Sequence, residues 1–479
     1  MLLSIHRTRG AILPNSDIKP GERVVADIQI LGLDDPIFDA STRPPIDQAI
    51  KLILGWQFGY QVPFAAVPLE HHKQIPEENL FRCLFGRDSL LIANLLRKRM
   101  PNLELAVVKA LAEVQGVKYD DVSEEEPGRI AHEVRDTSDQ QGNLIETNLG
   151  WRFPYYGSVD ATLIWLKTLA NIAEENPSVL EMVIDGMPLW RRAISATEWT
   201  LRRLGTPSGL IESHRVNPNG IQNQVWKDSG DSYMHADGTL ARGDTTASIE
   251  TTGEAYEALL GAAVIQKLKP HSDWPMSEDA LKSEAENIRK RLIDLLWLGD
   301  RFALGTERND DRVQKPLDSQ ASNQSRLLDS TILDGPEMLG YRNAIAEALS
   351  DTQLLGPSGL RTLSANHPSY RPGGYHTGSA WPMDSVFAAR GLLRHGFNSQ
   401  ALLLLSKTKS AIESVGGYPE FFRSDPLDNG LLTTQTTDVV SEMNGGKTNR
   451  VCQPPQMIQG WTVGAYAWLI DNLESTPSS

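Results

Sequence analysis

Seven short stretches of the 479-residue chain set ionisable side chains beside aromatic rings. In Phe85–Ser89 (FGRDS), Arg87 and Asp88 precede an apolar run. Such a pair at a helix start can hold hydroxyl groups by charge-assisted hydrogen bonds, although Asp88 reads equally well as a plain N-cap. Gly128–Arg135 (GRIAHEVR) carries His132 and Glu133 between two arginines, and a solvated loop is the simpler reading. Tyr155–Asp160 (YYGSVD) sets Tyr155 and Tyr156 near Asp160, which also suits the first turn of a helix. Asn223–Asp231 (NQVWKDSGD) is the richest, with Trp226, Lys227, Asp228 and Asp231 within six residues. An aromatic such as Trp226 can desolvate a carboxyl and raise its pKa to where it serves as an acid. Spacing does not choose between Asp228 and Asp231, and a turn rich in Asp, Ser and Gly is the bland alternative. Tyr375–Asp384 (YHTGSAWPMD) brings His376, Trp381 and Asp384, and Cys452–Trp461 (CQPPQMIQGW) opens the last helical run. In Gly416–Phe422 (GGYPEFF), Glu420 stands between Pro419 and two phenylalanines, where an unpaired carboxyl is costly to bury.

Two carboxyls that reach one aromatic-walled cavity from separate loops suit glycoside cleavage. One protonates the leaving oxygen; the other attacks the anomeric carbon or activates water. No phosphate loop, nucleophile elbow or HExxH occurs. Cys83 and Cys452 fit neither a zinc knuckle nor a disulfide framework, and no EF-hand spacing is present. No cofactor and no metal is expected.

Helical periodicity supplies the elements that must position these residues. Ile46, Ala49, Ile50, Ile53 and Leu54 fall on one helix face. The same test predicts helices near 46–57, 88–99, 102–115, 159–175, 189–204, 250–268, 277–297, 336–349, 382–395, 398–414 and 456–472. Very short connections, such as Met100–Pro101 and Gly396–Phe397, force antiparallel hairpins. Long polar connections alternate with them, at 116–158, 205–249, 298–335, 350–381 and 415–455. Hairpins packed in a ring would collect the long loops at one end. The expected fold is therefore all-α, an (α/α)6 barrel over residues 46–479 preceded by a short extended or β N-terminal arm, residues 1–45. Eleven helices are visible, so the twelfth is expected within 298–335 or 60–85. Asp318–Arg326 and Leu431–Asn449 are polar enough to be mobile flaps, or plain solvated loops.

Composition narrows the function. Sixty-one acidic residues against 46 Lys and Arg give a net charge of −15. Such a surface repels nucleic acid and anionic membranes but tolerates a neutral carbohydrate. The start lacks a signal-peptide apolar core, and no run approaches the ~18 apolar residues of a membrane span. A soluble cytoplasmic protein is expected; nothing in the sequence fixes its oligomeric state.

Taken in order, the seven motifs resemble the amylo-α-1,6-glucosidase group, the glucosidase half of glycogen debranching enzymes, over roughly residues 50–472. The resemblance implies an (α/α)6 barrel and an inverting glycoside hydrolase. It places the general acid on Asp228 and the general base on Glu420. It also implies sugar contacts from Arg87, Asp88, Tyr156, Asp160, His376 and Trp381, with Glu133 as a further candidate; Trp226 and Lys227, flanking the acid, join the expected binding set. Only about 45 residues precede the barrel, too few for a transferase domain. A small α-glucoside, sucrose-like or glycerate-linked, is therefore the alternative to a glucan. A histidine-based sugar epimerase and a non-catalytic carbohydrate-binding toroid are the readings from other classes.

Overall fold

The computed structural model describes residues 40–473, except 69–79, 137, 214, 242–244, 309–313, 426–434, 442–446 and 454. The N-terminal arm, apart from its last six residues, lies outside the described residues.

Twelve α-helices are present among the described residues: α1 (Ile46–Ile53), α2 (Gly86–Leu95), α3 (Leu103–Ala112), α4 (Gln140–Leu149), α5 (Asp160–Glu175), α6 (Leu189–Leu204), α7 (Ile249–Leu268), α8 (Glu278–Leu296), α9 (Leu339–Ser350), α10 (Pro382–Arg394), α11 (Asn398–Glu413) and α12 (Gly460–Leu473). They are not the twelve of the barrel. The inner ring runs α2, α5, α7, the 3-10 segment Ser322–Leu327, α10 and α12, which closes back on α2. Helices α1, α3, α6, α8, α9 and α11 alternate with them along the chain and form the outer layer. The result is an (α/α)6 toroid.

Residue pattern explains the two layers. Outer helix α8 buries only Leu281, Ala285, Ile288, Leu292 and Leu296, a single stripe that faces the ring. Inner helix α7 is buried nearly all round and is rich in Ala and Gly. A Cβ added at Gly261 would lie 3.0 Å from the Cβ of Ala170 and 3.4 Å from Lys167 Cα, so this glycine permits the close approach of α5 and α7. Ser248 and Ser277 cap α7 and α8 by accepting from the backbone N–H groups of Thr251 and Ala280.

Several expectations need correction. The twelfth barrel element does fall within 298–335, but as a short 3-10 segment, and Asp318–Arg326 is no flap. Ser319, Ser322, Asn323, Gln324 and Ser325 are buried. The polarity of this stretch reflects hydrogen bonding inside the barrel: Asn323 Nδ2 donates to both oxygens of Glu250, at 3.0 and 2.9 Å. Helix α4 arises inside a stretch read as loop. It offers few apolar residues, and packs Ile145 and Leu149 on a small separate cluster with Leu80, Trp151, Tyr155 and Ile221. Helix α1 stops at Ile53, where the chain turns into a hairpin pairing Leu54–Gln57 with Tyr60–Pro63. Residues 435–441 and 447–453, which overlap the second expected flap, pair as an antiparallel hairpin.

Candidate active site

The N-termini of the inner helices share one end of the ring. Asp160 is the first residue of α5, and Arg87 and Asp88 are the second and third of α2. Trp381 immediately precedes α10, and Gln459 precedes α12, whose second residue is Trp461. Short ladders fix the entering loops: Leu84–Phe85 pairs with Glu133–Val134, and Ile458–Gln459 with Ala66–Val67. Gly86 N donates to His132 O at 2.8 Å and Gly460 N to Ala65 O at 2.7 Å. A cavity of about 440 Å³ lies at this end, lined by acids (Asp88, Asp228, Glu420), Arg87, His132, and the rings of Phe81, Phe85, Trp226, Tyr375, Trp381 and Trp461, with Ala65, Gln456 and Gln459 completing it.

Arg87 organises the acidic side. Its Nη1 donates to Asp160 Oδ2 at 3.0 Å, its Nη2 lies 3.8 Å from Asp228 Oδ2, and its Nε lies 3.6 Å from Asp88 Oδ2. Burial disfavours the guanidinium charge, but Asp160, Asp88 and Asp228 outweigh it and raise its pKa. Burial also pushes Asp88 up to about 7; Arg87 pulls it back while Asp228 and Asp160 push it further. The same cause raises Asp228, opposed by Arg87. Asp88 is not an N-cap: Phe85 occupies that position and no side chain caps α2.

Glu420 enters the cavity on the Tyr418–Phe422 stretch. Tyr418 N donates to Met457 O at 2.8 Å and Phe422 N to Ala380 O at 2.8 Å, which fixes the backbone on both sides of Glu420. Tyr375 Oη donates to Glu420 Oε1 at 2.7 Å and Gln456 N approaches Oε2 at 3.4 Å. Burial raises Glu420 to about 7 against these two bonds, and Asp228 and Asp88 add to the rise.

The indoles form one wall. Trp226 meets Trp381 edge-on at 5.8 Å, Trp381 meets Trp461 at 6.0 Å, and Arg87 lies 5.9 Å over Trp461. Trp226 Nε1, Trp461 Nε1, Arg87 Nε, Asp88 Oδ2 and His132 Nδ1 are buried without a hydrogen-bond partner among the described residues. Buried polar atoms are normally paired; Arg87 Nε and Asp88 Oδ2 face each other as an ion pair, and the other three mark a place built for a polar ligand.

Of the residues expected from sequence, Arg87, Asp88, Trp226, Asp228, Trp381 and Glu420 line this cavity, and five do not. Asp160 lies behind Arg87, bound also by Ser158 Oγ. Glu133 is buried against Arg135 with its carboxylate occupied by that guanidinium. Tyr156 turns its hydroxyl to Val114 O at 2.7 Å. Lys227 is fully buried and donates to Ser322, Asn323 and Thr362. His376 stacks on Trp381 and shares Nδ1 with Ser229 Oγ at 2.8 Å. Asp231, the alternative acid, is also set back and accepts from Ser229 Oγ at 2.7 Å. Tyr375, Trp461, Gln456 and Gln459 were within the motifs but not singled out; the signal available was their place beside a carboxyl or at a helix start. Among the described residues no cluster of His, Cys, Asp and Glu is suited to a metal ion, and no helix is long and apolar enough to cross a membrane.

An (α/α)6 toroid opening on such a cavity places the chain among the glycoside hydrolases. The family model for the mannosylglycerate hydrolase MGH1-like glycoside hydrolase domain matches residues 185–436, just over half of the sequence, and the chain belongs to that family. Among solved structures it is similar to the GH63 mannosylglycerate hydrolase from Thermus thermophilus in complex with Tris and D-glycerate. The identity is 11%, 89% of this chain and 99% of that one are covered, and the TM-score is 0.58. A glycosidase variant is 15% identical over 90% of this chain and 96% of that one, with a TM-score of 0.53. A related glycosidase variant in complex with glucose has the same identity and coverage and a TM-score of 0.51. At these identities the likeness is one of fold. No curated protein matches the sequence.

Proposed function

We propose that the protein is an inverting, exo-acting α-glycosidase that hydrolyses a small α-hexosyl glycoside, with Asp228 as general acid and Glu420 as general base. The observation that carries this reading is the pair itself: both carboxyls line one cavity, they come from separate loops, and burial raises both. Asp228, protonated, gives its proton to the glycosidic oxygen as the bond to the anomeric carbon breaks. Glu420, ionised, takes a proton from the water that attacks the opposite face. The reaction needs the acid protonated while the base is charged. Tyr375 serves that end by donating to Glu420, the acid pair's only phenol contact among the described residues. The buried polar groups of Arg87, Asp88, His132, Trp226 and Trp461 supply donors and acceptors for sugar hydroxyls, and Trp381 offers an apolar ring face.

The family name and the glycerate found in the similar Thermus enzyme support a glycerate-linked hexoside as substrate. A second reading, a neutral small aglycone such as glycerol, is favoured by Arg87. It is the one cation lining the cavity among the described residues, and its Nη1 and Nη2 already face Asp160 and Asp228. The amylo-1,6-glucosidase likeness would instead predict release of glucose from a limit dextrin.

One panel separates these readings: α-mannosylglycerate, α-glucosylglycerate, α-glucosylglycerol, sucrose, isomaltose, maltose and limit dextrin, followed by proton NMR. We expect hydrolysis of a small hexoside with the β-hexose appearing first. First appearance of the α-anomer excludes inversion. Sugar binding without release of a reducing end favours the non-catalytic toroid, and conversion with no gain in reducing ends favours an epimerase. Asp228→Asn and Glu420→Gln should each lose turnover on the order of 10²–10⁴-fold with the fold retained.

A further inference from the structure

Trp226 and Asp228 both line the cavity, whereas Lys227 between them points the opposite way, as alternating side chains on an extended segment do. Its ammonium is 1% exposed and sits inside the barrel wall. Nζ donates to Asn323 Oδ1, to Ser322 Oγ at 3.3 Å and to Thr362 O at 2.7 Å. All three of its N–H groups are therefore used. Asn323 passes the contact on, its Nδ2 donating to both oxygens of Glu250, and Glu250 Oε1 accepts from Tyr233 Oη at 2.9 Å. Asp384, fully buried on α10, adds a second negative charge facing Lys227. Burial lowers the Lys227 ammonium to about 8, opposed by Asp384 and Glu250.

A buried ammonium is expensive, and an apolar side chain of similar volume is often tolerated as well or better in such a place. The network therefore calls for a reason other than stability. The loop that carries Asp228 supplies one. Its own bonds close it into a unit: Asn223 Nδ2 donates to Ser229 O at 2.7 Å, and Ser232 Oγ donates to Lys227 O at 2.6 Å. On one side, Ser229 Oγ meets His376 Nδ1 at 2.8 Å. On the other, Lys227 ties the loop to the 3-10 segment, the one inner-ring element too short to hold its place by a long helical stripe. The Asp228 carboxyl itself is held only loosely, 3.8 Å from Arg87 Nη2.

We propose that Lys227 is the positioning residue for Asp228, its buried ammonium anchoring the acid-bearing loop to Ser322–Asn323 and Thr362 so that the carboxyl faces the leaving-group oxygen. This rests on the reading of Asp228 as general acid. A displaced acid fails only where leaving-group protonation is needed, and that gives the role a signature that general loosening of the fold lacks. A misplacement of about 1 Å can cost on the order of 10²-fold.

The test compares kcat and KM on methyl α-hexosides with those on α-glucosyl and α-mannosyl fluoride, whose fluoride leaves with little acid help. Lys227→Met should lose on the order of 10²-fold in kcat on the methyl hexoside and keep a near-wild-type rate on the fluoride, with KM little changed. Asp228→Asn should show the same split, at least as large, and Lys227→Arg should recover part of the methyl hexoside rate. Parallel losses on both substrates, or none on either, overturn the positioning role. Should Lys227→Met not accumulate in folded form, Asn323→Ser removes the amide that accepts from Nζ and is read by the same split. Equal losses on both substrates in Asp228→Asn would instead reject the acid assignment, which keeps the two failures apart.

Discussion

Tyr375→Phe removes one hydroxyl from the site and leaves the ring that packs on Trp381. In the wild type that hydroxyl donates to Glu420 Oε1 at 2.7 Å, and the only other bond to the carboxylate among the described residues, from Gln456 N, is long at 3.4 Å. A hydrogen bond to a charged group contributes about 1.5–3 kcal/mol. At about 1.36 kcal/mol per tenfold change in proton affinity, its loss lifts Glu420 by roughly one to two pH units. Glu420 already stands at about 7 because burial raises it. At pH 7 the ionised fraction should thus fall from about half to roughly a tenth or less, and kcat/KM with it. The measurement is kcat/KM against pH on the natural-type hexoside. The wild-type acid limb should lie near pH 7, and the variant's should move to higher pH. A uniform drop at every pH, with the acid limb unmoved, would refute both the role of the bond and the assignment of that limb to Glu420.

Glu420→Gln should trade activity for stability. A carboxyl whose folded pKa exceeds its unfolded value, here about 7 against 4.5, favours the folded state below pH 4.5 and loses that contribution as pH rises through 7. The amide variant should therefore melt higher than wild type above pH 7, by up to ~3 kcal/mol, and the gap should close near pH 4; a lower melting temperature at pH 8 counts against the burial argument. Arg87→Met strips the compensating charge from Asp88, Asp160 and Asp228, and removing one partner of a buried pair costs about 3–5 kcal/mol; calorimetry should show a clear fall in Tm, and an unchanged Tm would mean that the acids are already neutral. Asp231→Asn should cost far less than the ~10²-fold or more expected of a lost general acid, because Asp231 is bound to Ser229 and set back from the cavity; rates on the methyl hexoside that match those of Asp228→Asn would reverse the assignment.

The helices were legible because outer elements such as α8 carry one apolar stripe and inner ones such as α7 are apolar nearly all round. The 3-10 segment was not, since its buried polar residues read as solvated. The same ambiguity governs the site. Motifs mark where chemistry-bearing residues gather, but not which way each side chain turns. Trp226, Lys227 and Asp228 are adjacent, and only the first and third enter the cavity. Glu133 and His132 are neighbours, yet His132 lines the cavity while Glu133 pairs with Arg135. Alternation along an extended loop could have separated these pairs. No sequence pattern could have shown that Asp160 pairs with Arg87, seventy-three positions away.

Asp88, in the first turn of α2, stands where a helix end should hold a carboxyl in its charged form. The N-terminal end of a helix favours negative charge, which lowers the pKa of a nearby acid. Magnitudes decide the outcome. A helix end contributes typically 0.3–1 kcal/mol, about 2 in favourable sites, whereas a shift of Asp88 from 3.8 to about 7 corresponds to roughly 4 kcal/mol. Burial is therefore the dominant force on Asp88, and Arg87 and a backbone hydrogen bond act as the brake. The brake acts on the proposed acid after its proton has gone to the leaving oxygen, because the Asp228 carboxylate then stays beside a guanidinium. Arg87 faces Asp228 and Asp88, while Glu420 has a phenol hydroxyl and a backbone N–H rather than a guanidinium. A hydroxyl can donate to the ionised base and remain when the proton arrives from water. On the proposed role as general base, Glu420 would then change charge within each turnover without leaving a buried cation unpaired.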